Sequence, residues 1–347
     1  MRVALLEKTR TPYRPPLFEY LGEQLDLTVY YVGVTPGRRK WSPNDNAQNY
    51  EVRVPDSRDI GPFTVVSDLK RRLLLEGYDE VIVSAGVNTL PSSLLGASAA
   101  AELGARLTVW SEFIHTPWIR GQDRSLPIRL IKKPFTRVSR KLQGHLYSQA
   151  DRVIAYSRLA KEAAISSGAS HEQVTTAPQW YPPQELSEPK QTETTDSYRV
   201  LYVGSLSKAK GVDVLLDVAL NCSDIEFAIA GTGPLEEAVA AASDRSPRIH
   251  KLGYIEGERK ATEFTAADLL VLPTKHDAWG LVVNEAYIFG TPAITTTSAG
   301  AEMIVPESLT VPPGNPSALL NAIQAARRDR PTAPSQPTIE AMADPLL

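Results

Sequence analysis

Short apolar runs separated by segments of helical spacing recur along the whole chain. This alternation constrains the fold more than any other feature. In the first half, residues 3–6, 27–32, 80–84, 106–110 and 152–156 are rich in apolar residues and bounded by Gly, Pro or Asp. Such runs fit strands covered on both faces, as in a parallel sheet. Residues 90–103 and 158–167 between them carry helical spacing. The second half repeats the habit, with strand candidates at 199–203, 225–230, 269–273 and 292–296. Helical patterns there cover 212–220, 234–242, 258–266, 281–289 and 316–327. The expected fold is α/β, with two doubly wound Rossmann-like domains facing across a cleft.

The 347 residues suit two domains at roughly 100–200 residues each. A stretch rich in Pro, Glu and Thr separates the halves and buries little apolar surface. The expected division is a first domain over 1–182, a linker over 183–197, a second domain over 198–330 and a Pro-rich tail over 331–347, with a crossing back to the first domain as an option. The net charge of −3 gives no general attraction to nucleic acid. A lone cysteine, Cys222, excludes an internal disulfide and fits a reducing compartment. The N-terminal residues lack the pattern of a signal peptide, and no run approaches the ~18 apolar residues of a membrane span. The expected location is cytoplasmic, with peripheral attachment at the inner face of the membrane as an option.

Ligands of open parallel sheets bind outside the carboxyl ends of the strands. Three loops of the second half occupy such places. GSLSKAKGVD, residues 204–213, offers Gly204 and Gly211 for close backbone approach, with Lys208 and Lys210 ahead of a helix N-terminus. Backbone N–H groups, a helix dipole and an ammonium favour a phosphate there, the plain alternative being a solvated loop. GTGP, residues 231–234, supplies Gly231 and Gly233 in a tight strand-to-helix turn. The third is KHDAWG, residues 275–280, in which Asp277 precedes Gly280 and Leu281 and a helix carrying Glu285. Two carboxylates to accept from hydroxyls, free N–H groups and a lysine for phosphate suit a nucleotide-sugar. Taken singly, each carboxylate reads first as a solvated surface acid.

Together these stretches, VGSLSKAKG, GTGP, AADLLVLPT and DAWGLVVNEAYIFGTPAI, occur in the order and spacing of the donor-binding half of the family 4 glycosyltransferases. The second half therefore resembles that retaining group, whose architecture is called GT-B. The resemblance implies that Lys210 contacts the donor diphosphate and Glu285 the ribose hydroxyls. It places Asp277 near the sugar ring, with Trp279 and Gly280 beside it, and the loop after Gly231 at the base. Two positions depart from the family pattern. Ser205 stands where an arginine is usual, leaving Lys208 as a substitute charge, and Asp277 replaces a glutamate. The implied activity is transfer of a hexose-type sugar from a UDP- or GDP-sugar to a hydroxyl of a lipid-linked or polysaccharide-precursor acceptor, with retention. No cofactor beyond the donor is expected. No DxD-type cluster stands at a strand end, so metal independence is expected too. The alternatives are a non-catalytic GT-B subunit of a glycan-assembly complex, which Ser205 favours, and a sugar-nucleotide epimerase.

The first half takes the acceptor in this architecture. Its strand at 106–110 runs into WSEFIHTPW, where Glu112 and His115 are candidates near the reacting centre. Arg14, ahead of a Pro-initiated helix, reads as a surface arginine or as one facing acceptor or phosphate. Residues 120–141 carry eight basic residues interleaved with apolar ones, so an anionic membrane surface is a candidate partner and a solvated helix the alternative.

Overall fold

The computed structural model describes residues 1–33, 47–61, 63–112, 126–190 and 197–347. In the helix beginning at Leu126 its side chains are described from Val138 onward. The described residues divide into two units, Met1–Ala177 with Ile339–Leu347, and Pro178–Thr338. The break thus falls at Ala177 rather than after residue 182. Part of the expected linker belongs to the second unit, where the Lys190 amide donates to Thr262 Oγ1 at 2.9 Å.

In the first unit the strands are β1 (Arg2–Glu7), β2 (Asp26–Tyr31), β3 (Glu51–Arg53), β4 (Arg58–Ile60), β5 (Phe63–Val65), β6 (Glu80–Ser84), β7 (Arg106–Ser111), β8 (Arg152–Ala155) and β9 (Val174–Thr176). Seven of them form one parallel sheet in the order β3-β2-β1-β6-β7-β8-β9, while β4 and β5 pair as a hairpin. Its helices are α1 (Pro15–Gly22), α2 (Leu69–Glu76), α3 (Leu90–Leu103), α4 (Leu126–Gln149) and α5 (Arg158–Ser167). The inner strands are continuously buried because helices cover both faces, which leaves no room for polar alternation.

The second unit begins its sheet with β10 (Arg199–Val203), followed by α6 (Val212–Leu220), β11 (Glu226–Ala230), α7 (Glu236–Arg245), β12 (Ile249–Gly253) and α8 (Gly257–Thr265). After these come β13 (Leu269–Val271), α9 (Val282–Ile288), β14 (Ala293–Thr296), β15 (Thr310–Val311) and α10 (Pro316–Asp329). The parallel order is β12-β11-β10-β13-β14-β15. A final helix, α11 (Ile339–Ala343), returns the chain to the first unit. Both sheets are doubly wound. The chain leaves the centre in one direction and resumes on the other side, between β1 and β6 in one sheet and between β10 and β13 in the other. Loops at such a switch point diverge and open a crevice at the carboxyl ends.

Among the described residues no helix is long and apolar enough to cross a membrane.

Candidate donor site

The switch point of the second sheet gathers the loops that follow β10 and β13. The first turns into α6 through Gly211, whose φ of 73° is left-handed; a Cβ there would lie 1.8 Å from the Pro273 carbonyl oxygen. Glycine is therefore required for the two loops to touch. They are then tied, Lys275 N donating to Ala209 O at 2.9 Å and Thr274 Oγ1 to the same oxygen at 3.2 Å. The loop after β14 joins them: Asp277 N donates to Ser298 O at 3.0 Å, and Gly300 N to Asp277 O at 3.2 Å.

On this frame Lys210 Nζ meets Asp277 Oδ2 at 2.5 Å, both groups being partly exposed. Beside them Lys275 Nζ meets Asp213 Oδ2 at 2.6 Å. His276 lies next to the first pair, its Nε2 buried without a hydrogen-bond partner. Burial lowers its pKa from the usual 6.5; Lys210 adds to the effect and Asp277 opposes it, so the ring is neutral at physiological pH.

Glu285 is only 6% exposed. It sits at the end of the first turn of α9, closer to the helix start than the sequence pattern indicates, because the helix opens at Val282 and not at Gly280. Its Oε1 accepts from Lys260 Nζ at 2.6 Å. A solvated surface glutamate is thereby excluded. Trp279 is buried, and its indole N–H donates to Asn284 Oδ1 at 2.7 Å. The ring braces the loop from inside rather than offering an open stacking face. Leu281 is half-buried just ahead of α9, and the Gly280 φ of 104° lets the chain turn there.

Gly204 and Gly231 pack loop against loop. A Cβ on Gly231 would lie 1.8 Å from Gly204 O, and one on Gly233 would lie 2.6 Å from Leu206 O. These glycines hold the loops of β10 and β11 together. Ser205 and Lys208 are exposed on the rim.

The structure thus brings Lys210, Asp277 and the glycine loops together at one sheet end, with Glu285 on the helix that leaves the same loop. Lys275 and His276, beside Asp277 in the sequence, were available to the same reasoning as that acid. Lys260 gave no signal, because its partner lies 25 residues away.

In the first unit, Glu112 is exposed directly after β7, whereas His115 and residues 120–125 lie outside the described residues. Arg14 is a correction. It is 6% exposed, donates through Nη2 to Tyr156 Oη at 2.6 Å, and lies 4.5 Å from the Trp110 ring centroid and 5.2 Å from that of Tyr156. Tyr13 beside it and aromatic groups at the ends of β7 and β8 box it in, the latter two invisible from its own stretch of sequence. Glu7, at the end of β1, has its pKa raised from 4.5 to about 7, by burial first. Arg14 opposes this and Glu112 adds to it.

These two doubly wound sheets define an α/β protein of the GT-B fold. In comparison with known proteins, residues 197–329 match the family described as Glycosyl transferases group 1. A sulfoquinovosyl transferase of Arabidopsis thaliana is 27% identical over 108 residues, covering 31% of this chain and 21% of that protein. An alpha-D-kanosaminyltransferase of Streptomyces kanamyceticus is 27% identical over 136 residues, covering 36% of this chain and 35% of the other. The match thus spans well under half the length of either relative. The structure of HepE from Anabaena in complex with UDP superposes with a TM-score of 0.69 at 17% identity, over 100% of this chain and 94% of that one. A second structure of that protein is in complex with UDP-glucose. At this identity the likeness is one of fold.

Proposed function

We propose that the protein is a retaining glycosyltransferase. It moves a hexose-type sugar from a UDP- or GDP-sugar to a hydroxyl of a lipid-linked or polysaccharide-precursor acceptor. The observation that carries this reading is the convergence of Lys210 and Asp277, 2.5 Å apart, at the switch point of the sheet whose next helix carries the buried Glu285. In this reading the Lys210 ammonium meets the diphosphate, Asp277 accepts from sugar hydroxyls and Glu285 from the ribose. The bond from the anomeric carbon to the diphosphate breaks as the acceptor oxygen bonds to that carbon, and the acceptor hydroxyl's proton passes to the departing diphosphate oxygen. The developing charge falls on phosphate oxygens already faced by positive groups, so no metal is needed. Retention is taken from the family resemblance. The acceptor belongs to the first unit, near Glu112 and His115. The basic segment 120–141 brings that unit to an anionic membrane surface.

Calorimetry with UDP and GDP tests the donor reading. One of the two should bind, and Glu285→Ala should weaken that binding by about tenfold or more. Unchanged affinity in the variant would remove the ribose role. A non-catalytic subunit predicts no turnover with any UDP- or GDP-hexose, and an epimerase predicts conversion of the free donor without acceptor.

A further inference from the structure

We propose that Lys260 is a positioning residue. It holds one oxygen of the Glu285 carboxylate so that the other is presented to a ribose hydroxyl, an inference that rests on the donor reading above. The basis is the way α8 and α9 are joined. Lys260 and Phe264 are one turn apart on α8, and Glu285 and Phe289 are the same distance apart on the segment of α9 and its cap. Side chains four residues apart share one helix face. Both pairs meet. Lys260 Nζ lies 2.6 Å from Glu285 Oε1, and the rings of Phe264 and Phe289 stack at 5.6 Å with planes 13° apart.

The far end of this clamp is closed by Thr291, whose Oγ1 donates to Phe264 O at 2.8 Å. Phe264 is fully buried, and the Lys260 ammonium stands 6.0 Å from its ring centroid. The helix carrying Lys260 is therefore fixed by packing, and the side chain is 23% exposed, unlike a freely solvated lysine. A charge held this way meets a carboxylate that is 8% exposed at its side chain. Oε1 is the oxygen engaged, and the ammonium keeps the carboxylate charge compensated where solvent reaches it poorly. A ribose hydroxyl then donates to a carboxylate whose direction is already set, so less ordering accompanies binding.

The test uses the full chain and measures Kd by calorimetry for UDP and GDP, each beside its 2′-deoxy and 3′-deoxy analogues. The wild type should favour the ribonucleotide over at least one deoxy form by about tenfold, the effect of one hydrogen bond to a charged group. In Lys260→Met the ribonucleotide should weaken by about tenfold while the disfavoured deoxy form changes little, so the preference collapses. Lys260→Arg should restore it. A merely structural lysine would weaken all analogues alike. If the Met variant does not fold, Lys260→Gln, which removes the charge and keeps a donor, is read by the same criterion. Undiminished preference in the lysine variant, with a collapsed preference in Glu285→Ala, would overturn the role of Lys260 and leave the donor reading standing. If the wild type binds neither nucleotide, or Glu285→Ala keeps the preference, the donor reading falls and this inference with it.

Discussion

Glu7 is an acid placed where its charge is poorly solvated. Its carboxyl ends β1 at the switch point of the first sheet, with Arg14 and Lys8 opposing burial and Glu112 reinforcing it. The folded pKa of about 7 exceeds the ordinary 4.5, so the folded state holds this proton more tightly than the unfolded one. Stability from this group is intact below pH ~4.5 and is lost as pH rises toward 7, by at most about 3 kcal/mol. Glu7→Gln should therefore melt higher than wild type at pH 8 and alike at pH 4.5. Parallel melting curves at both pH values would remove the assignment. In the second unit, Lys210→Met should weaken UDP or GDP binding by about tenfold or more, with a much smaller loss for the free nucleoside. Equal losses for both would place the lysine away from the diphosphate. The sequence marked Lys210, since it combines glycine spacing with a strand end. It could not mark Glu7 or Arg14, because Glu112 beside the one and Trp110 and Tyr156 around the other lie far along the chain.

At the level of elements, the loop ahead of α9 is fixed by hydrogen bonds that the motif does not reveal. The Trp279 indole donates to Asn284 Oδ1, and Asn284 Nδ2 donates to Gln179 O at 2.7 Å and to Gln336 Oε1 at 3.2 Å. Gln336 in turn pairs with Tyr181, accepting its N–H at 3.0 Å and donating to its carbonyl at 2.8 Å. Residues before β10 and after α10 thus meet behind the site loop. Trp279→Phe keeps most of the packing but leaves Asn284 Oδ1 buried without its donor, a cost of about 1–3 kcal/mol. The variant should unfold at lower denaturant and bind nucleotide more weakly through a looser loop; unchanged stability in urea would show that the bond contributes nothing. Inner strands such as β1, β6 and β10 were legible because both faces are covered and their central residues are apolar. The short outer strands β3, β9 and β15 carry too few residues for a pattern. In β12 the polar His250 and Lys251 interrupt the apolar run. These edges consequently escaped the sequence reading.

For the molecule as a whole, the chain's last segment belongs to the unit that contains its first strand. Met342, Ala343 and Leu346 are almost fully buried there. Arg152 makes the polar anchor: Nη1 donates to Pro345 O at 2.9 Å and Nη2 to Leu346 O at 3.0 Å. The same guanidinium pairs with the fully buried Glu80 at 2.8 Å, which also accepts from Thr108 Oγ1. Removing residues 339–347 would strip two carbonyl acceptors from Arg152 and delete the buried Met342 and Leu346 side chains. Burial of those side chains alone contributes about 3–6 kcal/mol. The groups proposed to contact the nucleotide, Lys210, Asp277 and Glu285, lie on the other unit, so the truncation should lower the melting temperature of the first unit while leaving the UDP or GDP affinity within about twofold, as expected for sites that share no partners. Saturating nucleotide should raise only the transition of the second unit, by mass action. Calorimetric melting of the truncated and full chains, each with and without nucleotide, resolves both effects. A truncated chain that melts like the full one would show that the Arg152 anchor and the buried tail side chains add nothing to the first unit, whatever the donor site binds.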